Sequence, residues 1–263
     1  MVTASFDRYQ RRDSIIHRLD ARVKVVIAVL FIVSNVFLPD GAWLAFAIAW
    51  ALVLLTVRLA QLALTSLLKR SLVALPFALA AVTIIFTHPG ETLAAWRVGS
   101  WTITATEAGL VRFASIMLRS WISVQMALLL AATTPFPDLM HALRHLRVPA
   151  VLITIISFMY RYLFVVTDEA GRLLRARAAR SARPAAGQGG GSLLWRARTA
   201  GNMVGQLLLR SVERSERVYN AMAARGYRGH FLTMNPHVMS ARDWLACVVA
   251  VAWLVSAQMI GRL

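Results

Sequence analysis

Cysteine is almost absent from this chain, since Cys247 is the only one among 263 residues. A single thiol excludes an internal disulfide and any zinc site built from several thiolates. Acidic residues are also scarce, with 12 Asp and Glu against 29 Lys and Arg, for a net charge of +17. No Gly-x-x-x-x-Gly-Lys-[Ser/Thr] pattern occurs, so the chain is not expected to bind or hydrolyse ATP. We expect a protein that is not an enzyme.

Long apolar runs are abundant instead: 58% of the residues are hydrophobic, and the mean hydropathy is +0.60. A membrane-spanning helix needs roughly 17 to 25 mostly apolar residues. Four apolar runs come close to this length and are free of central charge: 23–38, 42–57, 71–87 and 244–260. A fifth run, 109–134, carries Arg112 and Arg119 seven positions apart on one helical face, which is tolerable where that face contacts protein. We count all five runs as membrane spans.

The run 148–166 is also apolar over much of its length, but the distribution of charge argues against a sixth span. The chain has six basic residues from its start to Lys24 and twelve Arg within 168–228. Both regions are therefore expected in the cytoplasm, because cytoplasmic segments carry an excess of basic residues. A crossing at 148–166 would place those twelve arginines outside. We therefore predict five spans, with 148–166 at the interface or against other helices.

Two long amphipathic helices are predicted in the cytoplasmic part. Helical periodicity continues from Val148 to Arg180, and Pro184 and the glycine-rich joint 187–191, centred on Gly189, then interrupt it. A second helix is expected to begin near Ser192 as N-cap. Its apolar stripe consists of Val204, Leu208, Val212, Val218 and Met222.

The predicted fold is therefore an all-α polytopic membrane protein with about five transmembrane helices and long cytoplasmic amphipathic helices. Three regions are expected: a membrane domain of four spans at 1–134, a cytoplasmic or interfacial domain at 135–230, and a C-terminal transmembrane helix at 231–263.

A short pattern, Ala-x-Ala-Ala-Arg followed by a small residue, ends both cytoplasmic helices. It occurs at 176–181 and again at 221–226, so the two arginines are 45 positions apart (225 − 180). Small alanines allow a partner to approach closely, while a guanidinium can enter an acidic or carbonyl-lined pocket. The alternative is an ordinary helix end in which Gly226 is only a C-cap.

Several motifs together resemble the transmembrane coupling (T) component of energy-coupling factor transporters, most closely the CbiQ type of the cobalt and nickel branch. The resemblance extends over nearly the whole chain. It is carried by the two Ala-Arg repeats and by the stretches Ser14–Lys24, Thr133–Pro137 with Ala142 and Leu143, Tyr160–Tyr162, and Asp168–Ala170.

The resemblance implies that each repeat docks into a groove on one of two ABC ATPase subunits (CbiO-like). The docking residues would be Ala179, Arg180 and Ser181 in the first repeat and Ala224, Arg225 and Gly226 in the second. Ser181 departs from the glycine that is usual there, which questions any need for a positive φ. ATP binding would bring the grooves together, and the coupling helices would pass that motion to a separate substrate-binding membrane subunit (CbiM-like).

The resemblance further implies that this chain holds no cofactor, with ATP and Mg on the ATPases and cobalt or nickel on the substrate-binding subunit. A small accessory membrane subunit is an optional further partner. The expected location is the bacterial inner membrane, with the N-terminus and the coupling helices in the cytoplasm. A T component that serves vitamin import is the alternative within the family.

Other residues are interpreted structurally. Arg112 is expected to pair with an acidic side chain or a backbone carbonyl, because charge at membrane depth is costly. Arg119 is expected to have a structural or coupling role, and Arg161 to orient the first coupling helix. Pro184 and Gly189 are expected to let the helices move. His141 and His145 are four positions apart but lack a third ligand, and His17 and His88 are each isolated, so no metal site is predicted in this chain.

Three other classes of protein fit the sequence less well. A membrane enzyme would need a convergent acid, base or metal cluster, and a self-sufficient channel or carrier would show broken mid-membrane helices or an inverted repeat. A nucleic-acid-binding domain would interleave aromatic residues with its arginines, and the 168–228 stretch does not.

Overall fold

The computed structural model describes residues 9–74, 76, 80–87, 89–98, 101–180, 192–229 and 239–262. The helical membrane-protein class predicted from the sequence is confirmed. The chain divides into two units, which are described separately. A membrane unit comprises Arg8–Ala142 and His237–Leu263. A second unit contains Leu143–Pro236 and is called here the coupling unit, after the role that the sequence resemblance predicts. The predicted domain limits stay predictions.

The membrane unit contains most of the helices. They are α1 (Ile15–Arg18), α2 (Ala21–Val36), α3 (Trp43–Leu59), α4 (Leu64–Ser71), α5 (Thr83–Thr87), α6 (Glu107–Thr133), the greater part of α7 (Phe136–His145), and α10 (Ala241–Arg262). Their apolar faces meet around Phe31, Val53 and Ile122, whose side chains are almost completely buried.

Polar side chains join these helices inside the apolar core. The indole of Trp50 on α3 donates to Gln125 Oε1 on α6 at 3.2 Å, and that of Trp121 donates to Ser71 Oγ at 2.9 Å. Asn35 Nδ2 on α2 donates to Ser123 Oγ at 2.9 Å. Helix contacts in lipid depend on such bonds and on close packing, because lipid tails are as apolar as the helices.

The helices α2 and α10 run side by side in the same direction. At their starts, the backbone N–H of Asp20 donates to Asp243 Oδ1 at 2.9 Å, and near their ends Gln258 Nε2 donates to Ser34 Oγ at 2.9 Å. The helix α6 runs the opposite way, because its last residue, Thr133, accepts a bond from Lys24 Nζ near the start of α2 at 3.2 Å. The end of α6 and the starts of α2 and α10 therefore share one face of the unit, called here the start face.

The predicted third span, 71–87, is not one continuous helix. Ser71 ends α4, a 3₁₀ turn follows at Leu72–Ala74, Val82 is a turn residue, and α5 occupies only Thr83–Thr87. Pro76 supplies a physical reason, since proline lacks an N–H and its ring clashes with the preceding helical turn.

A short antiparallel hairpin was not predicted. Strands β1 (Thr92–Val98) and β2 (Trp101–Thr106) pair between the predicted spans 71–87 and 109–134, with Val98 opposite Trp101. The signal was present in the alternation Trp-Thr-Ile-Thr-Ala-Thr after a Gly-Ser pair, which favours a strand beyond a turn.

The coupling unit contains the two long helices α8 (Ala150–Arg180) and α9 (Leu193–Ala224). As predicted, α8 continues to Arg180, and Ser192 is the N-cap of α9, where its side chain accepts from the backbone of Trp195. At 1.5 Å per residue each helix is roughly 45 Å long. Ser181, Pro184 and the joint 187–191 lie outside the described residues.

Three of the described helices, α6, α8 and α10, are long and apolar enough to cross a membrane, and α3 is a shorter apolar helix. Length and composition alone would let α8 cross. The prediction of five spans, with 148–166 outside the bilayer core, therefore depends on the distribution of charge along the chain.

Candidate coupling site

The coupling helices are joined by a cluster of charged side chains around Glu169, called here the Glu169 junction. Arg210 Nη1 on α9 donates to Glu169 Oε1 on α8 at 2.7 Å, and Arg214 Nη2 lies 3.9 Å from Oε2. Arg172, three residues along α8, donates to Oε2 as well. One carboxylate thus contacts three guanidinium groups, two of which come from the opposite helix.

Helix geometry explains this convergence. Glu169 and Arg172 are three residues apart, and Arg210 and Arg214 are four apart, so each pair lies on a single helix face. The Glu169 side chain is only 15% exposed, whereas Arg210 is 52% exposed. The carboxylate therefore lies between the helices, and the arginines reach it from the solvent side.

The two arginine signatures lie beyond the junction along their own helices. Arg180 is the last residue of α8, 11 positions after Glu169, and Arg225 is the C-cap of α9, 15 positions after Arg210. A helical rise of 1.5 Å per residue places them about 16 and 22 Å from the junction along the helix axes. Each helix therefore carries its signature on the carboxyl-terminal side of the contact.

The two signatures also repeat in their exposure. In each pattern the second residue, Arg177 or Met222, is half-buried. The remaining described residues of both copies are exposed: Ala176, Ala178, Ala179 and Arg180 in the first, and Ala221, Ala223, Ala224, Arg225 and Gly226 in the second. The two copies therefore share their pattern of solvent exposure as well as their sequence.

Gly226 ends α9 in a left-handed conformation, with φ +80°. The backbone N–H of Tyr227 donates to the Met222 carbonyl at 3.0 Å, as in a Schellman C-cap. Gly226 therefore ends the helix as a C-cap glycine, whether or not it also contacts a partner. It also leaves Arg225 exposed at the point where the helix stops.

A large apolar surface accompanies the charged groups of the coupling unit. Ile153 is the single buried residue of α8, and none of α9 is buried within the described residues. The exposed apolar side chains include Val151, Ile155, Met159, Leu163 and Leu174 on α8, and Val204, Leu208, Leu209, Val212 and Tyr219 on α9. A surface of this extent marks a contact with protein or lipid.

Arg161 and Arg119 differ in their surroundings. Arg161 is exposed on α8. Arg119 belongs to the membrane unit, where its Nη2 donates to the Leu38 carbonyl at 2.7 Å and to Asp40 Oδ1 at 3.0 Å. It therefore holds the turn between α2 and α3 and is not part of the coupling unit.

The Ser14–Lys24 motif forms a hydrogen-bonded cap on the start face. His17 Nε2 lies 2.9 Å from the Gln10 carbonyl, which can only accept, so Nε2 carries the proton and Nδ1 accepts from Ser14 Oγ at 2.7 Å. Lys24 Nζ donates to the His17 carbonyl at 3.2 Å. Burial lowers the pKa of His17 below its ordinary value of 6.5.

The cap thus uses both ring nitrogens of His17 in hydrogen bonds. No group of three or more metal-binding side chains occurs in the described parts of the chain. His88 lies outside those parts, and His141 and His145 both belong to α7.

Taken together, these features define a helical membrane protein that carries a pair of joined coupling helices with matching arginine ends. The CbiQ sequence profile, described as cobalt transport protein, matches residues 12–237. The chain therefore belongs to the CbiQ cobalt transport protein family.

Named relatives support this membership. A cobalt transport protein CbiQ of Rhodobacter capsulatus is 30% identical over 158 residues, 60% of this chain and 62% of the relative. An energy-coupling factor transporter transmembrane protein EcfT of Acidaminococcus fermentans is 29% identical over 239 residues, 87% and 85% of the two chains. A putative fused cobalt transport protein CbiMQ of Methanocorpusculum labreanum is 29% identical over 153 residues, 57% of this chain and 24% of that protein. The chain is thus a component of a membrane transporter.

Proposed function

We propose that this chain is the coupling subunit of an ATP-driven importer of cobalt or nickel ions. It transmits the motion of two ATPase subunits to a separate membrane subunit that binds the ion. The observation that carries this proposal is the pair of long helices, joined at Glu169, whose exposed Ala-Arg ends repeat in the same register.

In this proposal each arginine enters a groove on one ATPase. Arg180 and Arg225 stand at helix carboxyl ends, where their positive charge is favourable beside the negative end of the helix dipole. Ala179 and Ala224 keep the neighbouring surface small. A partner groove that offers carboxylates or carbonyl oxygens would satisfy the five donors of each guanidinium.

The exposed apolar face of the coupling helices is proposed to contact the ion-binding membrane subunit, with or without a small accessory membrane subunit. The fused CbiMQ relative supports a close association with a CbiM-like protein, because its name combines the two components in one chain. ATP and Mg would be held by the ATPases and the metal ion by the CbiM-like partner.

The start face is proposed to lie at the cytoplasmic side of the bacterial inner membrane. Because α6 ends there and α10 begins there, the chain between them crosses the membrane an even number of times or not at all. A single crossing by α8 would not return the chain to that face, and α9 is not among the described helices that are apolar enough for a second crossing. The twelve arginines of 168–228 then remain in the cytoplasm, in agreement with the positive-inside rule.

A T component for vitamin import is the second candidate. The EcfT relative of Acidaminococcus fermentans, whose name specifies no metal ion, aligns with more of this chain than the CbiQ relative does, 87% against 60%. Uptake of labelled cobalt, nickel and a panel of vitamins by cells that express the complete gene set distinguishes the two candidates.

The docking role is tested by reversing the charge of each signature. Arg180→Glu and Arg225→Glu should each lower ATP-dependent uptake, and the double variant should abolish it and lose co-purifying ATPase. Arg175→Glu and Arg228→Glu are matched controls, since both residues are exposed arginines close to a signature but outside the docking position. Equal losses in signature and control variants would contradict specific docking, as would normal uptake in the double variant.

A further inference from the structure

A polar cavity opens on the start face, between the short helix α1 and the beginning of α10. Its volume is about 520 Å³, and it is lined by residues within 13–19 and 240–243. This volume lies in the range of about 300–1,000 Å³ that is usual for sites of small ligands. The lining residues all belong to the membrane unit, so the cavity is not part of the coupling helices.

Two arginines from distant parts of the sequence line this cavity. Arg18 is the last residue of α1, and Arg242 is the second residue of α10. Both side chains are exposed, and neither forms an ion pair or a side-chain hydrogen bond among the described residues. Both guanidinium groups therefore keep their donors available for an anion in the cavity.

The carboxylates of the cavity leave an excess of positive charge. Asp243 Oδ1 accepts from the backbone of Asp20 at 2.9 Å, and Oδ2 accepts from the backbone and the hydroxyl of Ser240, each at 2.8 Å. Lys24 also offsets the charge of Asp243. The lining therefore retains the two arginine charges against the single charge of Asp13, which is exposed.

The cavity lies where the chain enters the membrane. The apolar run of α10 begins at residue 244, only about 3 Å along the helix axis beyond Arg242. Exposed apolar side chains accompany the arginines, with Ile15 67%, Trp244 62% and Leu245 69% exposed. Tryptophan is enriched at the boundary between membrane and water, where its ring lies at the level of the lipid head groups. A ligand that fits this region therefore combines an anionic group with an apolar part.

We propose that this cavity binds the phosphate group of an anionic phospholipid, held by Arg18 and Arg242. The acyl chains would lie along the exposed apolar side of α10, over Leu245, Val248 and Val249. Basic pockets beside transmembrane helices are known sites for lipid head groups. A bound phosphate would bridge α1 and α10 and so stabilise the start face. This inference is independent of the transported ion and of the ATPases.

The same chemistry explains why the lipid is anionic. A zwitterionic head group such as phosphatidylcholine carries a phosphate too, but its choline would bring a further positive charge toward the two arginines. A soluble phosphate would satisfy the guanidinium groups but would leave the neighbouring apolar side chains uncovered. An anionic phospholipid satisfies both parts of the site.

The test uses the full-length chain purified in detergent, and native mass spectrometry counts the lipids that it holds. Phosphatidylglycerol is the anionic probe, and phosphatidylcholine with the same acyl chains is the zwitterionic one. The wild-type chain should bind one phosphatidylglycerol saturably and prefer it to phosphatidylcholine. Arg18→Gln and Arg242→Gln should each weaken this binding about fivefold, the usual contribution of one arginine at an anionic membrane surface. The double variant should lose the preference.

Matched variants separate this site from general attraction to lipid. Arg262→Gln removes an exposed arginine from the other end of α10 and should leave the preference unchanged. Arg18→Lys combined with Arg242→Lys keeps the charge and should keep most of the preference. Ala241→Phe fills the cavity without changing its charge and should remove the preference. Ala252→Phe, at an exposed position farther along α10, should not, because it can touch only acyl chains.

Soluble anions distinguish a lipid site from a phosphate site. Neither inorganic phosphate nor glycerol phosphate should displace phosphatidylglycerol, and displacement by either would overturn the lipid assignment. The proposal is also overturned if the wild-type chain binds both lipids equally, or if the double glutamine variant or Ala241→Phe keeps the preference. A loss in Arg262→Gln as large as that in Arg242→Gln would mean that the arginines attract lipid without a defined site, and would overturn it as well.

Discussion

Arg119 is expected to stabilise the membrane unit mainly through its bond to a backbone carbonyl. Its Nη2 donates to the Leu38 carbonyl at 2.7 Å and to Asp40 Oδ1 at 3.0 Å, and its guanidinium lies 6.0 Å from the centre of the Phe46 ring. The Arg119 side chain is 19% exposed, while that of Asp40 is 36% exposed. The carbonyl bond is therefore better protected from solvent than the ion pair.

These contacts set the expected magnitudes. A hydrogen bond that involves a charged group contributes about 1.5–3 kcal/mol. The ion pair with Asp40 is partly solvated and adds less than about 1 kcal/mol. We therefore expect Arg119→Ala to cost about 2–4 kcal/mol and Asp40→Asn less than about 1 kcal/mol.

Thermal unfolding in detergent measures how much stability each of the two variants loses, and labelling of Cys247 supplies the readout. Cys247 is the only thiol in the chain and is partly buried in α10, so a thiol-reactive dye reports when that helix opens. A loss of 2–4 kcal/mol should lower Tm by roughly 5–10 °C in a chain of this size. The reasoning is refuted if Asp40→Asn lowers Tm as much as Arg119→Ala, or if Arg119→Ala leaves Tm unchanged.

Two further predictions concern the start face. In a Cys247→Ser background, cysteines placed at Arg12 and at Ser240 should both react with a membrane-impermeant reagent only from the cytoplasmic side; labelling from opposite sides would exclude the common face. Because burial lowers the pKa of His17, the unfolded chain binds more protons below pH 6.5, so stability should fall as the pH decreases from 6.5 through the folded-state value. Tm measured against pH should show a smaller fall in His17→Gln, and identical profiles would contradict this.

Features that depend on local sequence were predicted well. The end of α8 near Arg180 and the N-cap at Ser192 follow from periodicity and capping chemistry, which act over a few residues. The Ala-Arg repeats were visible because their spacing within each copy is identical. Their matching exposure follows from that same spacing on a regular helix.

Features that depend on distant contacts could not be predicted. Glu169 meets Arg210, 41 positions later, and the sequence offers twelve arginines in 168–228 with no means of choosing among them. The bond between Asp20 and Asp243 joins residues 223 positions apart. In both cases the pairing depends on how whole helices pack, which local propensity does not encode.

The break in the third span shows a limit of predicting helices from hydropathy. Hydropathy averages over a window, so it predicts one span at 71–87, and Pro76 indicates only that this span could be kinked. The local effect of proline on backbone bonding overrides the averaged apolar signal. Hydropathy also gives no signal for the hairpin β1–β2, because its strands are short and β2 alternates apolar with polar residues.

The most direct test of the coupling function is the number of ATPase subunits held by the complex in the absence of nucleotide, measured by native mass spectrometry. Two ATPases should accompany the wild-type chain, one should accompany Arg180→Glu or Arg225→Glu, and none the double variant, because each arginine end is proposed to hold one subunit. Retention of both ATPases by the double variant would contradict this and would mean that the Ala-Arg ends are ordinary helix termini.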